Sequence, residues 1–227
     1  MDAVLFDFDG VVADTEGIHL ACFQQVLAPE GLDLTDEAYF ANYVGLNDRD
    51  CLAAVYGDRG RTISARKIAD LTAEKTRRVL ETFARSLEPI EGSVRLIRRL
   101  AEAGTPLAVC SGALGEEIRQ AAGALGVLEA FEVIVAAEDV ANGKPDPEGF
   151  ALALAKLADH RGRALRPERT VVIEDTPGGI AAGKSAGMGV MAVATTHDPS
   201  ALTAADAIAA SCAELDPDRL AALVAGH

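Results

Sequence analysis

The chain alternates between short apolar runs and longer segments in which apolar residues recur at helical spacing. The apolar runs are rich in strand-forming residues and occupy positions 3–8, 106–112, 133–139, 170–176 and 190–195. Helical patterns lie between them, at 94–103, 114–125, 147–158 and 177–186. Strands that alternate with helices predict a parallel sheet whose strands are joined by helical crossovers. Because the runs are apolar throughout, we expect helices to cover both faces of this sheet.

One long interval does not follow this alternation. Residues 15–87 hold no convincing strand pattern, and their helical stretches lie at 16–28, 36–42, 48–56 and 64–85. The next segment, 87–93, reads LEPIEGS and has the composition of a linker. The sequence therefore predicts an α/β core domain formed by residues 1–14 and 88–227, with residues 15–87 as a helical domain inserted after the first strand.

Length and composition suit a globular chain of this kind. The 227 residues suffice for one large domain or for one domain with an insert, and 49% of them are hydrophobic, enough for a sizeable core. The formal net charge is −14. An acidic surface repels nucleic acid and anionic membranes, so we expect neither as a partner. A phosphate ligand would need a local basic pocket.

The cysteines and the first residues bear on the cellular compartment. The four cysteines have neither metal-ligand nor redox-motif spacing, which favours reduced thiols in a cytosolic protein. The segment MDAVLFDFDG contains no basic leader and no long apolar run, unlike a signal peptide. No apolar stretch reaches transmembrane length without a charge or a helix breaker. We therefore expect a cytoplasmic protein.

Polar residues follow four of the apolar runs, at the points where the predicted strands end. Ligands of open parallel sheets bind beyond the carboxyl ends of the strands, so these residues are expected to share one site. They are Asp7 and Asp9 after the first strand, Ser111 and Gly112 after the second, Lys144 after the third, and Glu174 and Asp175 after the fourth.

Each of these groups also has an ordinary structural explanation when taken alone. The alternatives are a turn at Asp9-Gly10, a helix cap at Ser111, a solvated loop lysine at Lys144 and a helix cap at Glu174-Asp175. That all four groups fall at strand ends favours a shared site over four separate structural roles.

The shared site would have a specific chemistry. Four carboxylates in one site would repel one another, and a bound divalent cation would offset this repulsion. Ligand sets made only of oxygen favour Mg²⁺. A lysine and a hydroxyl group nearby would suit an anionic phosphate. The residues alone therefore indicate phosphoryl transfer at a metal-bridged site.

These residues match the pattern of a known family. DFDG at 7–10, Ser111, Lys144 within GKPDP, and Glu174-Asp175 within VIEDTPGGIAAGKSAGM resemble the four motifs of the haloacid dehalogenase superfamily. The resemblance covers essentially the whole chain, including the helical insert. It is similar to the branch of phosphatases and mutases related to beta-phosphoglucomutase and phosphoglycolate phosphatase, and it implies a Rossmann-like core with a helical cap domain.

The resemblance implies a role for each matching residue. Asp7 would be the nucleophile that takes the phosphoryl group as an aspartyl-phosphate, and Asp9 would protonate the leaving oxygen and then activate water. Ser111 and Lys144 would grip the phosphoryl oxygens. Magnesium would be held by Asp7, the backbone carbonyl of Asp9, Glu174 and Asp175.

The cap would close over the substrate and select it. By the same resemblance, His19 and Lys75 match substrate-binding positions, and Gly112 and Arg49 complete the expected set. The mutase has Lys-Gly near the cap tip where this chain has Val44-Gly45. The nearby arginine is displaced by one residue to Arg49, so that Asp48 stands at its place. A mutase needs a second phosphate anchor, so the lost basic group favours a phosphatase over this alternative.

Three other functions fit parts of the sequence less well. Residues 178–185 read GGIAAGKS, the spacing of a nucleotide-binding P-loop, but glycines follow within four residues, where a P-loop needs a substantial helix. A hydrolytic dehalogenase of the same superfamily lacks an acid at the position of Asp9. A non-catalytic binding module would not need Asp7, Asp9 and Lys144 together.

The predicted function is therefore a magnesium-dependent phosphatase of a small phosphorylated metabolite. By default the substrate would be a phosphorylated sugar or a short organic acid such as phosphoglycolate, because the core motifs do not select a substrate. The expected oligomeric state is a monomer or a weak homodimer.

Overall fold

One parallel sheet of six strands organises residues 1–225, the part of the chain that this computed structural model describes. The strands are β1 (Ala3–Phe6), β2 (Ala13–Asp14), β3 (Glu88–Pro89), β4 (Leu107–Cys110), β5 (Val133–Val135), β6 (Thr170–Glu174), β7 (Gly189–Val193) and β8 (Ala207–Ala209). The helices are α1 (Glu16–Leu27), α2 (Asp36–Asn42), α3 (Asp48–Asp58), α4 (Ala65–Phe83), α5 (Ser93–Glu102), α6 (Gly115–Ala124), α7 (Glu148–Arg161), α8 (Pro177–Ser185) and α9 (Pro217–Leu223).

The sheet has the order β5-β4-β1-β6-β7-β8, which places β1 between strands from opposite halves of the chain. Phe6 pairs in register with Val109 of β4 on one side and with Ile173 of β6 on the other. The strand order reverses direction at β1. In open α/β sheets, ligands bind in the crevice beyond the carboxyl ends of the strands at such a reversal. The residues that follow β1 therefore lie where a ligand site is expected.

Helices cover both faces of the sheet. Alternate residues of β1 enter two different hydrophobic clusters. Phe6 packs in the cluster that contains Leu96 of α5 and Ile118 of α6, whereas Leu5 packs in the cluster that contains Phe150 of α7. All four residues of β1 are fully buried. The predicted α/β class, with a sheet that is apolar on both faces, is confirmed.

Helices α1 to α4 occupy the interval that interrupts the predicted alternation, and residues 15–87 are called the helical insert below. They build a third cluster of buried side chains, which includes Phe23, Leu34, Tyr39 and Leu52. At its base, β2 and β3 pair antiparallel, with Asp14 opposite Glu88. The two connections between the insert and the sheet thus run side by side. None of the helices in the described part is both long enough and apolar enough to cross a membrane.

Several segments differ from the predicted pattern, among them the two-residue strands β2 and β3 and the helix α9, which were not predicted. The run at 133–139 is a strand only to Val135, because Ala136 donates its backbone N–H to the carboxylate of Asp139 (2.9 Å) and the chain turns there. The strand β8 was not predicted. It has three residues and pairs at the sheet edge with β7, so it carries too few apolar positions for a recognisable pattern.

Candidate active site

The ends of four neighbouring strands bring the predicted residues together. Asp7 directly follows β1 and donates its backbone N–H to the carbonyl oxygen of Ile173 (2.9 Å), so the pairing with β6 continues past the strand. Glu174 ends β6, and Ser111 follows β4. Lys144 comes from the loop after β5. Side chains that are far apart in the sequence therefore meet at one edge of the sheet.

Lys144 bridges two of the carboxylates. Its Nζ lies 2.5 Å from Oδ1 of Asp7 and 2.6 Å from Oε1 of Glu174. Burial lowers the pKa of a lysine, but the charges of Asp7 and Glu174 outweigh that effect and raise the pKa of Lys144 well above its ordinary value. The side chain is therefore a fixed cation, placed where it can attract the oxygens of a phosphoryl group.

Asp7, Glu174 and Asp175 form a buried carboxylate cluster that could hold a divalent cation. One oxygen from each residue lies within 4.8 Å of the others. Both carboxylate oxygens of Asp175 are buried, and the hydroxyl of Thr196 lies beside them. Burial, together with the charges of the neighbouring carboxylates, raises the pKa of Asp7 and of Asp175 well above the ordinary value. An all-oxygen set of this kind suits Mg²⁺.

The carboxylate of Glu174 is fixed by the residues that follow it. Its Oε2 accepts hydrogen bonds from the backbone N–H of Asp175 (2.8 Å), the N–H of Thr176 (2.9 Å) and the hydroxyl of Thr176 (3.0 Å). A Cβ atom at Gly179 would overlap this carboxylate, so a larger residue there would displace the Glu174 side chain. Thr176 and Gly179 were not singled out from the sequence, because their partner becomes visible only when β6 and α8 are placed together.

Asp9 is surrounded by hydrogen-bond donors. It accepts from the hydroxyls of Thr15 (2.5 Å) and Ser111 (3.1 Å), and Nε2 of His19 lies 3.3 Å from its Oδ1. Burial alone would raise the pKa of Asp9, but His19 and Thr15 outweigh it and lower the pKa below its ordinary value. Asp9 is therefore ionised in this arrangement. Thr15 is a further residue that the sequence did not reveal.

A pocket lies between the strand ends and the helical insert, and we call it the central pocket. Its floor includes Asp7, Asp9, Lys144 and Gly112. The insert supplies its roof, which contains Glu16, His19, Phe23, Tyr39, Leu46 and Asp48. His19 and Gly112, two of the predicted substrate-binding residues, line this pocket.

Two other predicted substrate-binding residues do not line the pocket. Lys75 is buried behind the roof, where its side chain is only 1% exposed and its Nζ lies 2.7 Å from Oδ1 of Asp48. Arg49 points to solvent, with a side chain that is 57% exposed and that donates to Asp50 (3.0 Å). Helical periodicity left the direction of both side chains open.

The arrangement of residues 178–185 does not fit a P-loop. A P-loop presents its Gly-Lys-Ser at the N-terminus of a helix, where free backbone N–H groups bind phosphate. Here Lys184 and Ser185 are the last two residues of α8. The ammonium group of Lys184 pairs instead with Asp206 (2.6 Å), near the sheet edge.

Comparisons with known proteins agree with this geometry. Residues 4–193 match a family model described as haloacid dehalogenase-like hydrolase. The phosphorylated carbohydrates phosphatase of Thermotoga maritima is 30% identical over 92% of this chain and 93% of its own length. The validoxylamine A 7'-phosphate phosphatase of Streptomyces hygroscopicus subsp. limoneus is 28% identical over 90% of this chain and 91% of its own length.

A solved structure gives the same result in three dimensions. The crystal structure of CbbY from Rhodobacter sphaeroides in complex with phosphate superposes with a TM-score of 0.86 and 29% sequence identity, covering 97% of this chain and 99% of that chain. The similarity therefore includes both the sheet and the helical insert. With the family model spanning most of the sequence and the four motifs meeting at one sheet edge, the chain belongs to the haloacid dehalogenase-like hydrolase family.

Proposed function

We propose that this protein is a magnesium-dependent phosphatase that hydrolyses a small phosphorylated metabolite through an aspartyl-phosphate on Asp7. The observation that carries the proposal is the contact of Lys144 with both Asp7 and Glu174, beside the buried carboxylate of Asp175. A nucleophilic carboxylate, a fixed cation and an oxygen-lined cation site adjoin one small pocket. These are the parts that transfer of a phosphoryl group requires.

In the first step, a carboxylate oxygen of Asp7 attacks phosphorus, and the bond between phosphorus and the leaving oxygen breaks. Lys144 and the hydroxyl of Ser111 hold the non-bridging phosphoryl oxygens. Asp9 is ionised in the unliganded site, so it acts here in the protonated form that the preceding turnover leaves, and it donates this proton to the leaving oxygen, which departs as an alcohol. Asp7 then carries the phosphoryl group as a mixed anhydride.

In the second step, Asp9 acts as a carboxylate and takes a proton from a water molecule that attacks phosphorus. The Asp7–phosphorus bond breaks, and inorganic phosphate is released. The hydrogen bonds from Thr15 and Ser111 stabilise the ionised Asp9 that this step needs. Burial and the charge of Lys75 lower the pKa of His19, but the contact with Asp9 outweighs them and raises it. The proton taken from water leaves Asp9 protonated for the next cycle, and the protonated His19 beside it stabilises the carboxylate form of Asp9 between the two steps.

Magnesium would be held by Asp7, Glu174 and Asp175, with the backbone carbonyl of Asp9 as a further ligand. The cation would offset the negative charge that the carboxylates and the phosphoryl group bring together. The clustered oxygens of the three side chains and the raised pKa of Asp7 and of Asp175 support this assignment. Thr176 and Gly179 would act from behind by keeping Glu174 in place.

The helical insert, residues 15–87, would be a cap domain on a core of residues 1–14 and 88–227. Its roof residues would face the part of the substrate that leaves with the oxygen. The relatives support a carbohydrate-like substrate, since one is named for phosphorylated carbohydrates and another for validoxylamine A 7'-phosphate. The alternative, a sugar phosphate mutase, is favoured less because Lys75 and Arg49 do not present a second phosphate anchor to the pocket.

The partner would be a small metabolite, not nucleic acid or a membrane, because the net charge of −14 repels polyanions. The chain would act in the cytoplasm as a monomer or a weak homodimer. Sedimentation measures the oligomeric state, and subcellular fractionation measures the location.

The experiment that tests this proposal measures phosphate release from an aryl phosphate and from a panel of phosphorylated metabolites, with magnesium and with a chelator. Asp7→Asn keeps the shape of the side chain but removes the nucleophile, so turnover is expected to disappear. Asp2→Asn is the matched control, because Asp2 lies at the opposite end of β1 and pairs with Arg169 (3.0 Å). Turnover by Asp7→Asn close to the wild-type rate would refute the assignment.

A further inference from the structure

The roof of the central pocket carries negative charge above the place where the phosphoryl group would bind. Glu16 and Asp48 both line it. Asp48 is the first residue of α3, and the side chain of the preceding Asn47 caps that helix by accepting from the backbone N–H of Asp50 (2.9 Å). The helix start is therefore fixed, and it holds the Asp48 carboxylate at the pocket wall.

Among the described residues, one oxygen of the Asp48 carboxylate accepts a hydrogen bond, and the other does not. Oδ1 accepts from the ammonium group of Lys75 (2.7 Å). Oδ2 is buried and, in the described part of the chain, has no hydrogen-bond partner. The carboxylate as a whole borders the pocket, where the Asp48 side chain is 13% exposed, and a carboxylate oxygen can accept more than one hydrogen bond. The wall thus offers an acceptor to the substrate.

Lys75, which the sequence placed among the substrate-binding residues, is not available to an anion. Its Nζ lies between Asp48 and Glu117, 3.8 Å from Oε2 of the latter, and 5.1 Å from the centre of the Phe23 ring. Its side chain is 1% exposed, so two carboxylates and an aromatic ring already enclose its charge. A substrate anion would have to displace one of these partners to reach it.

The other polar groups that line the central pocket already have partners. Of the residues described, Lys144 and His19 are the cationic side chains that line the pocket, and both contact the catalytic carboxylates Asp7 and Asp9. The hydroxyl of Tyr39 donates its hydrogen to Glu16 (2.8 Å). The roof therefore presents acceptors to the substrate, while its donors are already in use.

We infer that the portion of the substrate that leaves with the oxygen is uncharged and bears hydroxyl groups. The enzyme would then hydrolyse sugar or polyol monophosphates and discriminate against compounds that carry a carboxylate or a second phosphate. Hydroxyl groups can donate to Asp48, whereas an added anion would face Glu16 and Asp48 without a free cation. This inference rests on the proposed phosphatase function, and it excludes phosphoglycolate-like acids as preferred substrates.

The experiment compares substrates that differ in one charged group. Glycerol 3-phosphate and 3-phosphoglycerate differ by a hydroxymethyl group in place of a carboxylate, and glucose 6-phosphate and glucose 1,6-bisphosphate differ by one phosphate. We expect kcat/KM to be at least about tenfold higher for the uncharged member of each pair. Each compound is also measured as a competitive inhibitor of aryl phosphate hydrolysis, so the two are ranked even where one is not turned over.

Variants then test whether the roof residues cause the preference for uncharged substrates. Asp48→Asn removes the charge and frees Lys75, so the preference within each pair should fall roughly tenfold or more. Asp70→Asn is the matched control, because it removes the same charge from an exposed position of the helical insert, and it should leave the preference unchanged. Glu16→Gln provides a second test at the roof if Asp48→Asn does not fold.

The outcomes separate this inference from the proposed function. If the wild-type protein does not hydrolyse the aryl phosphate with magnesium, the phosphatase proposal fails and the inference fails with it. If it does, but accepts or binds the charged member of each pair as well as the uncharged one, the phosphatase stands and the inference is overturned. An unchanged preference in both roof variants would likewise refute the role of Asp48 and Glu16.

Discussion

The ammonium group of Lys144 lies 2.5 Å from Oδ1 of Asp7, although the two residues are 137 positions apart in the chain. The contact joins the loop after β5 to the end of β1, across the intervening strand β4. The same ammonium group reaches Glu174, so one lysine holds two carboxylates that would otherwise repel each other. The proposed catalytic site and the ion pairs at the carboxyl ends of β1 and β6 therefore depend on one side chain.

Lys144→Met should impair both properties. Loss of the cation that holds the phosphoryl oxygens should lower kcat by roughly 10²–10³-fold. Loss of one partner of a buried ion pair should lower the free energy of unfolding of the metal-free protein by about 3–5 kcal/mol. Lys156→Met is the control, since that lysine is half-exposed and pairs with Asp139 at the surface (3.4 Å). Steady-state kinetics and urea unfolding check both effects, and wild-type kcat in Lys144→Met would contradict the role.

Asp9→Asn should separate the two half-reactions. Both steps should slow by roughly 10²–10⁴-fold, because the variant can neither protonate the leaving oxygen nor deprotonate water. An aryl phosphate needs little protonation, so Asp7 should still be phosphorylated, and the phosphoenzyme should accumulate. Rapid acid quench followed by mass spectrometry of the peptide that contains Asp7 measures it. Hydrolysis of both alkyl and aryl phosphates at the wild-type rate would show that Asp9 is only a turn residue.

Magnesium should stabilise the protein more strongly as the pH rises. In the metal-free protein, burial raises the pKa of Asp7 and of Asp175 well above the ordinary value of 3.8. Carboxyl groups with a raised pKa favour folding at low pH, and this contribution is lost as the pH rises through the raised pKa. A cation that binds the ionised carboxylates offsets the loss.

Thermal unfolding from about pH 5 to pH 8, with and without magnesium, measures this effect. The increase in Tm caused by magnesium should grow across the range, and chelation should abolish turnover at every pH. Calcium should restore turnover poorly, because its looser coordination misplaces the nucleophile. An increase in Tm that stays constant with pH would argue against protonated carboxylates in the metal-free site.

Gly179→Ala should weaken magnesium binding, whereas Gly178→Ala should not. A Cβ atom at Gly179 would overlap the carboxylate of Glu174, but a Cβ atom at Gly178 meets no atom within 4 Å. Mutation of a residue that supports a metal ligand typically lowers the affinity for the metal by about 10–100-fold. Both variants make the same chemical change in the same helix, so the difference isolates the contact. Magnesium titrations followed by calorimetry check it, and equal affinities in the two variants would show that Glu174 can move without loss.

Much of the fold follows from local patterns in the sequence. The apolar runs predict strands buried on both faces, and every predicted strand is present, although the run at 133–139 ends at Val135. The helices of the insert lie where the helical spacing placed them. Strand β8 was not predicted, because three residues at the edge of the sheet are too few to show a hydrophobic periodicity. The residue types also predicted that Asp7, Asp9, Lys144 and Glu174 lie together, since the carboxyl ends of parallel strands lie at the same edge of a sheet.

The direction of individual side chains depended on the tertiary structure. The sequence shows Lys75 and Asp48 as charged residues of a helical insert, and only packing decides that they pair with each other behind the pocket wall. The support of Glu174 by Thr176 and Gly179 likewise requires β6 and α8 to be in place. Residue identity and spacing determine which chemistry a chain can perform. Contacts between segments that are distant in sequence decide which charges remain free to meet a substrate, because a buried charge can pair only with the groups that pack around it.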